Sequence, residues 1–267
     1  MQAISPKLCL CAAALLVLLT MTVTGQEMPG PSPSGPPATV LEALPLDAAK
    51  RTVLRQTIGK RDYASAENLL ADEAGKNPKS QALLLVLAHV LFLDGKQVEC
   101  ASALRKAELL GPLDEPNRFL LALSYIATSR KNLAIRELEK LEQSYPSNAV
   151  YPYWRSRLAY RSMDPQLALT YAEKAVRLDP AFMKAYDQLG LCYAGLNRNE
   201  KAIGAYTEAV RLNRQQSSHS PWPSLNLGTL LLRLERLEEA AAIPSTTTHT
   251  LPRHIFGLAK CSNGKNS

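Results

Sequence analysis

Aromatic residues are scarce in this 267-residue chain, at 6%. With Leu and Ala dominant, that shortage favours packed helices over a sheet-built core. Cysteine is sparse too, at five. Cys9 and Cys11 fall in an N-terminal apolar stretch, which leaves Cys100, Cys192 and Cys261. An odd, scattered set excludes a disulfide framework. Without a CxxC pair among them, zinc and thioredoxin-type chemistry have no foothold. Buried small-residue packing is the role expected of Cys100 and Cys192. Catalytic signatures are missing as well: there is no HExxH, no GxSxG and no GxxxxGK[ST] phosphate loop. Gly59-Lys60, Gly95-Lys96 and Gly264-Lys265 lack the second glycine such a loop needs. Carboxylates such as Glu137, Glu139 and Glu142 recur at helical surface spacing and read as a solvated face. The sequence therefore predicts no catalytic residues, no metal site and no cofactor.

Charge of one sign is not concentrated either. Lys and Arg number 31 against 24 Asp and Glu, a net +7. The basic residues are dispersed, whereas a nucleic-acid footprint needs them on one face, so no nucleic-acid partner is expected. Hydrophobic residues at 46% and charged residues at 21% exclude both wholesale disorder and a polytopic membrane protein.

The longest uncharged apolar stretch is Leu8 to Val23, 16 residues, short of a membrane span. Lys7 is the only charge before Glu27, and Val23 and Gly25 occupy the −3 and −1 places of a cut before Gln26. Residues 1–25 thus have the plan of a secretory signal peptide, with an uncleaved anchor as the alternative. A secreted or periplasmic location is expected, with no membrane span once the signal is removed. Pro29 to Ala38 reads PGPSPSGPPA, and residues 26–46 are expected to be a disordered Pro-rich linker.

The prolines carry the main signal. Pro78, Pro112, Pro146 and Pro180 are each 34 residues apart, and a fixed interval calls for a repeat reading. Counting from the third residue after each proline, position 8 is Ala88, Ala122, Ser156 and Gly190. Position 20 is Cys100, Ala134, Ala168 and Ala202, with Ala66 one unit earlier. Small residues there let two helices approach closely, while larger ones at positions 4, 7, 11 and 24 fill the space between them. Each proline stands where the second helix of a unit must stop. Asp94-Gly95, Met163-Asp164 and Leu196-Asn197 mark turns inside the units.

These residues resemble the tetratricopeptide repeat (TPR) family. The unit from Met183 to Arg214 matches best, with Tyr186, Leu189, Gly190, Tyr193, Ala202, Tyr206 and Ala209 at the signature places. The resemblance implies an all-α, right-handed superhelical solenoid of antiparallel helix pairs. Its units are expected at 47–80, 81–114, 115–148, 149–182 and 183–216, with a partial unit at 221–240. The polar first helix of the opening unit suits an N-terminal cap. Four residues are inserted before the sixth unit, in the polar loop around Gln215 to Ser220. The leucine-rich stretch Ser224 to Glu239 is apolar on several sides, but Pro244 interrupts the helix that should cover it. Residues 241–267 are expected to be an irregular, disordered tail. It is either a genuine extension or, the favoured reading, an unrelated frame or splice product. Self-association through the exposed leucine helix follows from that.

In TPR proteins positions 2, 5, 9, 12 and 13 face the concave groove. The resemblance places His89, Phe92, Phe119, Leu123, Ile126, Tyr153, Arg157, Tyr160, Arg161, Lys184 and Asp187 there. Aromatic and arginine anchors dominate interface energies, so the expected partner is a protein or peptide segment, extended or helical, with apolar and acidic side chains. Some TPR domains clamp a terminal carboxylate with Lys at position 5 and Asn at position 9. Here Arg51 and Arg55, Leu85 and His89, and Phe119 and Leu123 hold those places, so that clamp is absent. The expected function is an exported, non-enzymatic scaffold. The alternatives are an assembly factor of a cell-envelope or secretion complex and a truncated form of a larger, possibly catalytic, TPR protein.

Overall fold

The computed structural model describes Pro36 and residues 38–243. The expected signal, most of the Pro-rich linker and the tail from Pro244 onwards lie outside the described residues. Within them the chain is all helix and turn, with no strand. A short α1 (Ala38–Glu42) precedes six helix pairs. These are α2 (Ala48–Gly59) with α3 (Tyr63–Lys76), α4 (Gln81–Leu93) with α5 (Gln97–Leu110), and α6 (Glu115–Ala127) with α7 (Lys131–Ser144). Then come α8 (Val150–Arg161) with α9 (Pro165–Leu178), α10 (Met183–Gly195) with α11 (Asn199–Gln215), and α12 (Trp222–Arg233) with α13 (Leu237–Ala242). Each helix packs on the one before and the one after it, so the chain is a solenoid of helix hairpins. Among the described residues no helix is long and apolar enough to cross a membrane.

Local chemistry sets the helix ends. Asp47, Ser80 and Asp114 cap first helices, and Asp62 and Asp164 cap second helices. Each accepts a hydrogen bond from the backbone N–H three residues on. Pro78, Pro112, Pro146 and Pro180 all stand in the connections between pairs, outside the helices. The turn inside each pair is one motif repeated. Arg61, Gly95, Ser129, Met163 and Asn197 recur at the 34-residue interval, and all are left-handed, as is Glu235 in the sixth pair. The following N–H closes back on the carbonyl five residues earlier, as in Lys96 N to Leu91 O at 2.9 Å and Arg236 N to Leu231 O at 3.0 Å. This is the Schellman way of satisfying the last carbonyls of a helix. Glycine removes the steric cost of that conformation only at Gly95.

Small residues hold the pairs together. Ala88, Ala122 and Ser156 of the first helices, and Ala66, Cys100, Ala134, Ala168 and Ala202 of the second, are fully buried. Gly190 lets the Tyr206 ring lie flush on α10, since a Cβ there would sit 2.5 Å from the ring carbons. Cys100 and Cys192 are buried and unpaired. Cys100 Sγ accepts from Ser124 Oγ at 3.2 Å, and Cys192 Sγ accepts from Gln188 Nε2 at 3.6 Å. Burial pushes both thiols up to about 11, which leaves them inert at neutral pH.

Two expectations need correction. Residues 38–46, read as the end of a disordered linker, are ordered. Leu41, Leu44 and Leu46 are buried in one cluster with Leu54, Leu70 and Leu83. Arg51 Nη1 donates to Glu42 O at 2.6 Å, and Arg55 pairs with the Glu42 carboxylate. Composition concealed this because three leucines in nine residues suffice to cover the apolar side of an otherwise polar α2. Deleting residues 1–46 is therefore expected to cost at least about 3 kcal/mol relative to deleting 1–35, from leucine burial alone. Urea unfolding followed by circular dichroism reads this, and equal midpoints would contradict it.

The four-residue insertion, placed in a loop, instead begins as helix. The α11 helix has 17 residues, where α3, α5, α7 and α9 each have 14. The chain then turns through left-handed Ser217 and His219. The buried Asn213 clamps it, donating to Ser220 O at 2.8 Å and accepting from Ser220 N at 3.1 Å. On α12, Leu227, Leu230 and Leu231 are buried in a cluster with residues of α11, and Ala240 and Ile243 pack against it.

Candidate protein-binding face

First helices of neighbouring pairs also touch one another. The contacts α4–α6, α8–α10 and α10–α12 are present, and no pair of second helices makes a comparable one. One face of the solenoid is therefore built from first helices alone, and every residue expected to bind a partner lies on them.

Those residues divide into three groups. Leu123 and Tyr153 belong to the packed core, each 3% exposed, as does Ile126 at 5%. Tyr153 lies 5.1 Å from the Phe182 ring. Positions 9 and 12 of the third unit and position 5 of the fourth are therefore taken up by the core. Phe92 and Phe119 are half-buried against the same core. Phe119 stands edge-on to Tyr151 at 5.6 Å and to Trp154 at 6.5 Å. His89 is also half-buried, with Nε2 3.1 Å from Asn117 Oδ1. Asn117 is itself held by Asp114 at 2.6 Å. Burial pulls the His89 pKa below the usual range, against the opposing pull of Asn117 and Asp114. His89 is thus a neutral, satisfied side chain at pH 7.

The third group is polar and converges on α8 and α10. Arg157 is half-buried, with its guanidinium carbon 4.6 Å from the Trp154 ring centroid and 5.8 Å from that of Tyr153. Its Nη1 is buried and has no hydrogen-bond partner. Lys184 is half-buried one helix on, its pKa lowered by burial and by the nearby Arg157 charge. Asp187 accepts from Asn226 Nδ2 of α12 at 2.8 Å. Burial raises the Asp187 carboxyl to about 6, opposed by Asn226 and Arg157. Tyr160 is half-buried over Gly195, where an added Cβ would lie 3.2 Å from its ring. Arg161 is exposed. Among the described residues Arg157, Arg161, Lys184 and Asp187 form no ion pair. By contrast, Arg118 of α6 pairs with Glu108 and Glu137, and Arg155 of α8 with Glu139 and Glu142.

Sequence reasoning missed Trp154 and Asn226. Both stand at position 6 of their units, outside the positions assigned to the groove. For Asn226 the usable signal was the shift from Gly190 to Gly228, which restores its register. Among the described residues no group of three or more His, Cys, Asp or Glu could hold a metal ion.

An all-α solenoid of antiparallel hairpins with a face made of first helices is the class these observations define. The Tetratricopeptide repeat family profile matches residues 119–181 and 155–217, so this central stretch carries tetratricopeptide repeats. No curated protein matches the sequence. Solved structures share the fold at low identity. MamA 41-end from Desulfovibrio magneticus is 18% identical at a TM-score of 0.58, over 63% of this chain and 95% of that one. Cut9-Hcn1 of the APC/C hetero-tetramer is 16% identical at 0.54, over 78% of this chain and 41% of that one. YrrB, described as a TPR protein with an unusual peptide-binding site, is 18% identical at 0.50, over 73% and 97%.

Proposed function

We propose that this chain is a non-catalytic scaffold that holds a protein partner against its first-helix face, centred on α8 and α10. The partner segment is extended or helical and carries apolar and acidic side chains. One observation carries the reading: Arg157 lies half-buried among aromatic rings with no acid to pair it, on a face otherwise lined by Phe92, Phe119 and Tyr160. Aromatic and arginine side chains in such settings are the usual anchors of protein interfaces. A preformed helical wall also spares a partner much of the ordering cost on this side. The peptide-binding site described for YrrB supports the same use of this fold.

The double substitution Arg157→Ala, Tyr160→Ala is expected to weaken partner capture at least tenfold, about 1.4 kcal/mol. Leu167→Ala, on the exposed side of α9, is expected to leave it unchanged. Unchanged capture by the double variant would discard the reading. Export is part of the proposal and rests on the apolar stretch Leu8 to Val23 and the small residues after it. Mass spectrometry of protein recovered from its native source should find a chain beginning at Gln26; a cytoplasmic chain retaining Met1 would refute export.

A further inference from the structure

A pair of donors on α8 is left without acceptors: Trp154 Nε1 and Arg157 Nη1 are both buried and unbonded. The Arg157 guanidinium lies over the Trp154 indole, so the two orphans are neighbours. Buried donors are almost always satisfied, so a pair of orphans on one helix, one of them on a half-buried side chain, calls for a bound group that completes it. Lys184 adds a second positive charge, its pKa lowered first by burial and then by the Arg157 charge. Two half-buried cations that repel each other, neither in an ion pair among the described residues, form an unfavourable arrangement that an incoming anion would relieve.

Asp187, whose charge acts on Arg157, does not perform that role. Asp187 turns to Asn226 of α12, at 2.8 Å, and makes no ion pair with either cation. The groups around it are Arg157 and Tyr153 from α8, Tyr206 from α11 and Asn226 from α12. From α9, Glu173 is taken by Tyr193 Oη at 3.1 Å and Lys174 by Glu142 at 2.7 Å. Arg233 of α12 acts on Tyr160 and Tyr206.

We propose that Arg157 and Lys184 form an anion subsite that takes the side-chain carboxylate of an Asp or Glu in the partner, and that ionised Asp187 opposes its entry. The inference rests on the scaffold reading for its partner but not for its chemistry. With Asp187 protonated, the cations are left to the ligand; with Asp187 ionised, its charge both shields them and repels the incoming carboxylate. The burial that raises Asp187 to about 6 places this change within an accessible pH range. An ordinary glutamate, with a pKa of about 4.3, stays charged across it. Because the ligand prefers the protonated protein, binding takes up a proton and tightens as pH falls from 8 to 5.5.

The test is an NMR titration of the full chain with N-acetylglutamate α-amide, which carries a single side-chain carboxylate, against its neutral counterpart N-acetylglutamine α-amide. The expected result is a saturable shift of the Arg157 side-chain N–H and the Trp154 indole N–H with the glutamate compound only. Binding should be at least about fivefold tighter at pH 5.5 than at pH 8, judged from the change in Asp187 protonation. Arg157→Gln should abolish it, and Asp187→Asn should make it tight at both pH values. Equal shifts with both compounds, shifts elsewhere on the chain, or no saturation in Asp187→Asn would each overturn the subsite. If the subsite titrates as described while the Arg157, Tyr160 double variant still captures partner normally, the scaffold reading falls and the subsite stands. If capture is lost in that variant but no carboxylate preference is found, the reverse holds.

Discussion

Replacing Trp154 with alanine is expected to destabilise the chain by about 3–5 kcal/mol, the range for removing a large buried aromatic side chain. Trp154 is 2% exposed. It touches Phe119 of the preceding unit edge-on, stands beside Tyr153 at 5.8 Å and carries the Arg157 guanidinium on its face. It therefore joins the third and fourth hairpins. In a solenoid each unit leans only on its neighbours, so a weak junction in the middle uncouples the two ends. Unfolding of Trp154→Ala should then occur in two steps. Trp222, the remaining tryptophan, lies on α12 and reports the C-terminal side alone. Urea transitions by Trp222 fluorescence and by circular dichroism should separate in the variant, with an earlier overall midpoint. Coincident transitions at the unaltered midpoint would contradict the packing described.

The second large effect is at Gly190. An alanine Cβ there would lie 2.5 Å from Cδ1 and Cε1 of Tyr206 and 2.8 Å from Cγ. The Tyr206 ring is itself 2% exposed and has no room to retreat, so α10 and α11 must separate. Overpacking of this kind costs typically 1–3 kcal/mol and occasionally more, and Gly190→Ala should fall at or above the top of that range. Gly204→Ala makes the opposite prediction. Gly204 is in α11, and nothing lies within 4 Å of an added Cβ. The gain in helix propensity should stabilise by about 0.5–1 kcal/mol. Thermal unfolding of the two variants should move in opposite directions. A shift of the same sign would sink the claim that close approach, rather than helix propensity, selects glycine at position 190.

The repeating interval was legible because prolines and small side chains answer to backbone geometry and to volume, which every unit needs alike. The same logic made Gly190 and Ala202 readable as an interface. The turn residues were harder: the left-handed position holds Arg61, Ser129, Met163 and Glu235 as well as Gly95 and Asn197, so its chemistry is hidden wherever glycine or asparagine is absent. The Schellman hydrogen bonds and the packed helices hold those residues in place at a local steric cost. Leu41, Leu44 and Leu46 were masked by the proline-rich stretch before them, since composition is averaged over a window and burial is not. On the first-helix face, position in the repeat could not separate the half-buried Arg157, Tyr160 and Lys184 from the covered Tyr153 and Leu123. Whether a first-helix residue is accessible depends on how closely the next first helix approaches. Asn226 escaped because its partner Asp187 lies 39 positions earlier in the chain, across an insertion that breaks the 34-residue count.

Amide hydrogen exchange of the chain, alone and with a captured partner bound, tests most directly whether stacked hairpins present a single binding face. The account predicts slowed exchange in α8, α10 and α12, with α9 and α11 unchanged. Slowing confined to the second helices, with the first helices unaffected, would contradict it.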